Sequence, residues 1–302
     1  MPTHATAQHI GTRSHQCDAT ATRSTGDGGR AFVLLDGIGS SDDVRSWTRS
    51  EARRLADLTA RTLQPHEAIT QLQNEIAARA EWAPGACAVA AVTAPDQLLR
   101  VAWIGDCRAY LLHQDGHFQR LTTDHNLRAE VEATGEKASW WYRNHVTRCL
   151  GHPDAGTALE PEWTAVHDRA GTRLLLASDG CYEPIEDAAR ALGAELVGLD
   201  PAERAEHLVN LAISLGGEHQ DNATCMVVDF PDAPQTPEAN TGRILCAHGC
   251  VLLQDGCSGC DAAEDTPHPA DPVTVRSPWT SRMVKRCRTC AQPPARRIHT
   301  GA

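Results

Sequence analysis

Residues 86–112 read ACAVAAVTAPDQLLRVAWIGDCRAYLL, and their reading decides the fold class. The apolar runs 86–94, 97–104 and 107–112 are consecutive strands, with no helical period between them. Asp115-Gly116 then gives a tight hairpin turn into His117–Leu121. Upstream, residues 31–36 (AFVLLD) form a buried strand stopped by Asp36-Gly37. Ser40-Ser41-Asp42-Asp43 starts a helix, with capping hydroxyls and acids in its first turn. Val44, Trp47, Leu55 and Leu58 recur at helical spacing, and Pro65 is expected to end that helix. Ile69, Leu72, Ile76 and Ala80 mark a second one.

Downstream, residues 125–150 show little periodicity around Trp140-Trp141 and read as an irregular surface segment. Residues 173–178 (RLLLAS) form another buried strand that runs into Asp179-Gly180. Two helical stretches follow, the second opening at Pro201 and ending at Gly216-Gly217. The strand 223–229 closes the domain. Strands in runs and helices in separate pairs indicate a layered α+β fold rather than alternating βαβ units. Residues 1–230 are expected to form the main domain and 231–242 (PDAPQTPEANTG) a Pro-rich linker. Residues 243–302 then form a small Cys-rich module.

The net charge is −11 over 302 residues. Residues 241–302 hold eight basic and five acidic side chains, a net of +3, which leaves −14 for the first 240. An acidic body argues against nucleic-acid binding there and suits a site that collects divalent cations. No apolar run reaches membrane-spanning length and the N-terminus lacks a secretory pattern, so a cytoplasmic protein is expected. Six of twelve cysteines crowd the tail: Cys246, Cys250, Cys257, Cys260, Cys287 and Cys290. Cys257-x₂-Cys260 and Cys287-x₂-Cys290 have the spacing of a structural Zn²⁺ site. Cys246, His248 and Cys250 are alternative ligands, and the competing reading is a disordered tail with incidental cysteines. Lys285, Arg286 and Arg288 flank Cys287, which leaves nucleic-acid contact open for the tail alone.

Asp36-Gly37, Asp179-Gly180 and Asp221-Asn222 each follow or precede an apolar strand, and Asp18 lies in a polar stretch. Any one is a turn-former by default. Several on neighbouring strand ends would bring carboxylates together at one sheet edge. Packed carboxylates repel unless cations neutralise them, and oxygen-only ligands suit Mg²⁺ or Mn²⁺.

Seven motifs in order then resemble the metal-dependent type 2C Ser/Thr protein phosphatases, over roughly residues 8–230. Arg13-Ser14-His15-Gln16-Cys17-Asp18-Ala19 resembles Arg-x-x-Asn-Glu-Asp-Ala, and Asp36-Gly37-Ile38-Gly39 resembles Asp-Gly-x-Gly. Gly105-Asp106-Cys107-Arg108-Ala109-Tyr110 and Leu121-Thr122-Thr123-Asp124-His125 resemble Gly-Asp-Ser-Arg-Ala-Tyr and Leu-Thr-x-Asp-His. Arg148-Cys149-Leu150-Gly151, Leu176-Ala177-Ser178-Asp179-Gly180 and Asp221-Asn222-Ala223-Thr224 complete the series.

The resemblance implies an α-β-β-α sandwich with two central, mainly antiparallel sheets. It implies that Asp36 bridges two Mn²⁺ or Mg²⁺ ions, that the Gly37 carbonyl binds one, and that Asp179 and Asp221 complete the other. Asp18 acts through water, Asp124 matches a position linked to a third metal, and Arg13 holds the substrate phosphate. The implied reaction is hydrolysis of phosphoserine and phosphothreonine in phosphorylated proteins, a signalling activity, by a hydroxide bridging the two ions.

Gln16-Cys17 departs from the family's Asn-Glu, and Ile38 stands where animal members have His. Two competing readings follow. One is a phosphatase-like binding or regulatory module with little turnover. The other takes Cys17-x₅-Arg23 as a cysteine-phosphatase loop, although Asp-Ala-Thr-Ala-Thr contains no glycine and its Asp would repel phosphate.

Overall fold

Apolar runs without alternation belong to strands covered on both faces, and the computed structural model of this chain has that arrangement. It describes residues 2–231, apart from 27, 80–81, 95, 97, 152–159 and 168–169. Beyond these it describes the backbone of 252–253, 256–257, 273–276 and 283–286. The first strands and helices are β1 (Thr3–His9), β2 (Ala19–Ser24), β3 (Arg30–Ile38), α1 (Asp42–Thr62), α2 (Pro65–Arg79), β4 (Gly85–Thr93), β5 (Leu99–Ile104), β6 (Arg108–Leu112) and β7 (Phe118–Arg120). They are followed by α3 (Leu127–Ala133), β8 (Glu162–Val166), β9 (Arg173–Ala177), α4 (Asp179–Asp187), α5 (Leu192–Glu195), α6 (Pro201–Leu215) and β10 (Ala223–Asp229).

The strands form two five-stranded antiparallel sheets, ordered β1-β10-β9-β6-β7 and β2-β3-β4-β5-β8. Period-two geometry sorts the side chains of β3. Phe32 and Leu34 join Val89, Val101, Leu174, Leu176, Met226 and Val228 in the core between the sheets. Val33 and Leu35 point the other way, to Leu55, Ile69 and Leu72 of α1 and α2. On the outer face of the other sheet, Leu175 and Val227 pack against Ile185, Leu208 and Val209 of α4 and α6. The result is the expected α-β-β-α sandwich.

Local signals set the helix ends. Ser41 caps α1 by accepting the Val44 N–H at 3.2 Å. Pro65 does not end α1; α1 stops at Thr62, Leu63 turns to φ +56°, and Pro65 opens α2, where its missing N–H costs nothing. β1, β2 and β8 were not expected from apolar runs. Two of them, β2 and β8, are the edge strands of one sheet, and β1 is an edge of the other, so their faces carry Thr, His, Gln and Arg. The segment read as irregular contains α3 and a 3₁₀ turn at Trp140–Asn144.

The chain divides into two compact units, Met1–Ala233 and Pro234–Ala302. In the second, Leu252–Leu253 pairs with Gly256–Cys257, and Val273–Arg276 with Met283–Arg286. Of the expected zinc ligands, Cys260, Cys287 and Cys290 lie outside the described residues, as do Cys246, His248 and Cys250, and only the backbone of Cys257 is described. Among the described residues, no helix is long and apolar enough to cross a membrane.

Candidate active site

The strand ends place the carboxylates. Antiparallel pairing aligns Asp36 with Cys87 and Ala19 with Leu35, so Asp18 and Asp36 reach the same end of one sheet. In the other sheet Ala177 pairs with both Cys225 and Arg108. Asp179, Asp221 and Asp106, just beyond these positions, therefore meet at the matching end. The charges act on one another there. Burial, then the charges of Asp18 and Asp179, push the Asp36 carboxyl well above its ordinary value. Burial and Asp179 push Asp18 up to about 7, and Asp106 likewise to about 7. Burial and Asp221 raise Asp179.

Hydrogen bonds fix the back of this cluster. Ser178 Oγ donates to Asp18 Oδ2 at 3.0 Å, and Cys17 N donates to Asn222 Oδ1 at 2.7 Å. Asn222 Nδ2 donates to the Ile10 carbonyl at 2.8 Å, which ties the Arg13 loop to the Asp221 turn. Gly11 is required at this junction. Its φ is +64°, and a Cβ there would lie 2.3 Å from the Asp221 carbonyl oxygen. A Cβ on Gly37 would likewise lie 2.8 Å from the Cys17 carbonyl oxygen, so β3 can approach Asp18 only as glycine.

The donors fit hard divalent cations. Asp18 Oδ1 is buried without a hydrogen-bond partner, and its carboxyl and those of Asp36, Asp106 and Asp179 are raised by burial and mutual repulsion. Positive charge would relieve both conditions. Among the described residues no group of three or more His, Cys, Asp or Glu side chains is arranged to hold a metal ion. Mg²⁺-type ions, which keep several waters, do not need such a group.

The expected residues divide. Asp18, Asp36, Gly37, Asp179 and Asp221 come together. Arg13 joins them through an ion pair with Asp221, its side chain 46% exposed at the mouth. Ile38 is exposed beside them. Asp124, expected near a third metal, is occupied otherwise. Arg108 Nε and Nη2 donate to its two oxygens at 2.9 and 2.7 Å, and Arg120 Nη2 adds a bond of 2.7 Å. Arg108 also reaches Glu186 at 2.8 Å and lies 3.8 Å from the Tyr182 ring centroid. This pair is buried, so removing one partner strands the other. Arg108→Ala is expected to lower unfolding free energy by about 3 kcal/mol, read by urea denaturation.

Asp106 and Glu183 were missed. Asp106 follows the same strand-end rule as Asp36, being Gly-Asp after β5, and that signal was available. Glu183 sits in α4 one turn past Asp179 and has no sequence mark. Burial and Asp179 push it up to about 8, against the opposing charge of Arg143. The cysteine-phosphatase alternative fails on geometry: residues 19–24 are β2, paired along β3, and Arg23 faces Asp57 at 3.3 Å. Cys17 is buried, its thiol raised by burial and directed at the Ser41 carbonyl at 3.8 Å. A nucleophilic thiolate needs the opposite environment.

Comparison with known proteins agrees with this geometry. Residues 42–220 match the family model described as Protein phosphatase 2C. The serine/threonine protein phosphatase PstP of Mycobacterium tuberculosis is 31% identical over 220 residues, covering 68% of this chain and 41% of that protein. The chain thus spans less than half the length of that relative. The serine/threonine phosphatase stp of Listeria welshimeri is 30% identical over 247 residues, covering 72% of this chain and 91% of that one. A solved structure of the PstP catalytic domain in complex with two manganese ions superposes with a TM-score of 0.60 at 27% identity, covering 76% of this chain and 99% of that one. With its fold, its strand-end carboxylates and its matched residues in accord, this chain belongs to the protein phosphatase 2C family.

Proposed function

We propose that this chain is a metal-dependent protein Ser/Thr phosphatase that hydrolyses phosphoserine and phosphothreonine. The observation that carries the reading is the convergence of Asp18, Asp36, Asp179 and Asp221 at one edge of both sheets, with Arg13 at the mouth. Family membership and the manganese-bound relative support it. Asp36, the Gly37 carbonyl, Asp179 and Asp221 would hold two Mn²⁺ or Mg²⁺ ions, with Asp18 behind them. When bound, such ions lower the pKa of water and offset negative charge on a phosphoryl group.

The chain's own residues do the rest. Arg13 presents a planar guanidinium, suited to gripping two phosphate oxygens. Its ion pair with Asp221 keeps it aimed at the carboxylates. The Asp18 carboxyl is held by the Ser178 hydroxyl, which fixes the acceptor that water-bridged ligation needs. With Asp124 clamped by two arginines, we assign it a structural role and two cations to the site. The cytoplasm is the proposed location, supported by the buried free thiols of Cys17, Cys87, Cys107, Cys181 and Cys225. A structural Zn²⁺ at Cys257, Cys260, Cys287 and Cys290 is supported by their spacing alone.

The test is turnover of a phosphothreonine peptide with and without Mn²⁺. Phosphate release is expected with Mn²⁺ and is expected to stop in excess chelator. Tight phosphopeptide binding without release would favour the binding-module reading.

A further inference from the structure

Residues 126–147 leave the body after β7 and return before β8, and their feet are tied together. Leu127 N donates to the His145 carbonyl and Thr147 N to the His125 carbonyl, each at 2.9 Å. Asn126 and Val146 form an isolated bridge. Beyond these feet, packing contributes little. Neither α3 nor the 3₁₀ turn Trp140–Asn144 has a buried residue, and Trp140 and Trp141 are 70% and 45% exposed. What reaches the body is Arg143. Its Nε lies 3.1 Å from Glu183 Oε2, and its Nη1 donates to both Asp187 oxygens at 2.9 and 2.8 Å. All three side chains lie at α4, which begins with Asp179.

Glu183 lies one helical turn past Asp179 in α4, so the two carboxylates are neighbours on that helix. Burial, with the charges of Asp179 and Asp106, raises its carboxyl, and the charges of Arg143 and Arg108 lower it. Arg143 in turn feels Asp179 as well as Glu183 and Asp187. A half-buried carboxylate in such a place needs a counter-charge. Arg143 supplies one, and a divalent cation next to Asp179 would supply another. A cation shared with Asp179 would take over that counter-charge and weaken the pull of Glu183 on Arg143.

We propose that Arg143 latches the 126–147 excursion onto α4 as the fixed counter-charge of Glu183, and that divalent cations drawn to Asp179 and Glu183 displace it. This rests on the reading of Asp179 as a cation ligand. Linkage makes the coupling reciprocal: cation loading loosens the excursion, and loss of the latch strengthens cation binding.

The chain has two lysines, Lys137 and Lys285, and Lys137 is exposed inside the excursion. A lysine-specific endoprotease therefore reports on the latch through the cut at Lys137, told apart from a cut at Lys285 by fragment size, without any need for turnover. In metal-free wild-type protein the cut at Lys137 is expected to be slow, and Mn²⁺ should speed it at least fivefold. Arg143→Gln should be cut fast with or without Mn²⁺, and Arg143→Lys should restore part of the protection. By calorimetry, Arg143→Gln should bind Mn²⁺ at least threefold more tightly than wild type, or bind one ion more. Equal cutting of wild type and Arg143→Gln, or Mn²⁺ binding to wild type with no change in the cut, would overturn the latch while leaving the phosphatase reading standing. No Mn²⁺ binding to wild type would overturn both.

Discussion

Asp36→Asn is expected to lower phosphopeptide turnover at least about a hundredfold, equivalent to roughly 3 kcal/mol of transition-state stabilisation, while raising the melting temperature of the metal-free protein. The two effects have one cause. Asp36 is buried and faces the charges of Asp18, Asp179, Asp106 and Asp221. Asparagine keeps the shape and removes one repelling charge from a site without cations. The same removal takes away the acceptor that would span both ions. Asp179→Asn should behave alike, since burial and Asp221 raise its carboxyl too. Thermal unfolding in chelator together with a phosphate-release assay checks both halves. Retained turnover, or a lowered melting temperature in chelator, would count against the assigned role of these carboxylates.

Mg²⁺ or Mn²⁺ at about a hundred times its Kd is expected to raise the melting temperature by roughly 5–10 °C, and the rise should be larger at pH 8 than at pH 5.5. The sign follows from the raised carboxyls. Asp18 and Asp106 move from an ordinary value of 3.8 to about 7. Stability linked to a raised carboxyl is fully present below the unfolded value and is lost as pH climbs toward the folded one. The metal-free protein should therefore weaken between about pH 4 and pH 7, as the cluster is forced to ionise. Cations bind the ionised form, so their effect grows over the same interval. Melting curves at both pH values, with cation and with chelator, measure it. A cation effect that shrinks as pH rises would exclude the carboxylate cluster as the binding site.

The sequence was most legible where burial is complete. Residues 31–35 and 86–92 are strands because the other sheet covers one of their faces and helices α1 and α2 the other, and no polar residue interrupts the signal. Asp36, Asp179 and Asp221 were readable because each interrupts or adjoins such a run. Three of the four edge strands, β1, β2 and β8, were not readable; the fourth, β7, was read from the Asp115-Gly116 turn before it. β1 pairs with the distant β10, and its His and Thr side chains face solvent on one side, so period and composition carry no mark of a strand. Asp124 shows the limit of motif reading: its position in Leu-Thr-x-Asp-His was plain, but the arginines that occupy it are set by three-dimensional packing of β6 and β7. Glu183 lies on a helix whose sequence gives no hint of the carboxylates opposite. Trp140 and Trp141, which composition would make ordinary packing residues, are both exposed on the 3₁₀ turn.

The pairing of β1 with β10 also governs when the site can exist. Thr3 aligns with Asp229 and His9 with Ala223, so the first strand of the unit waits for its last. Asp221 precedes that last strand. Contacts of such sequence separation form late, after the loops between them have closed. Asp18 and Asp36 can meet as soon as β2 pairs with β3, so Asp221 is the acidic residue that joins last. The cation trap and its electrostatic cost are therefore completed only in that final step, when β10 slots between β1 and β9.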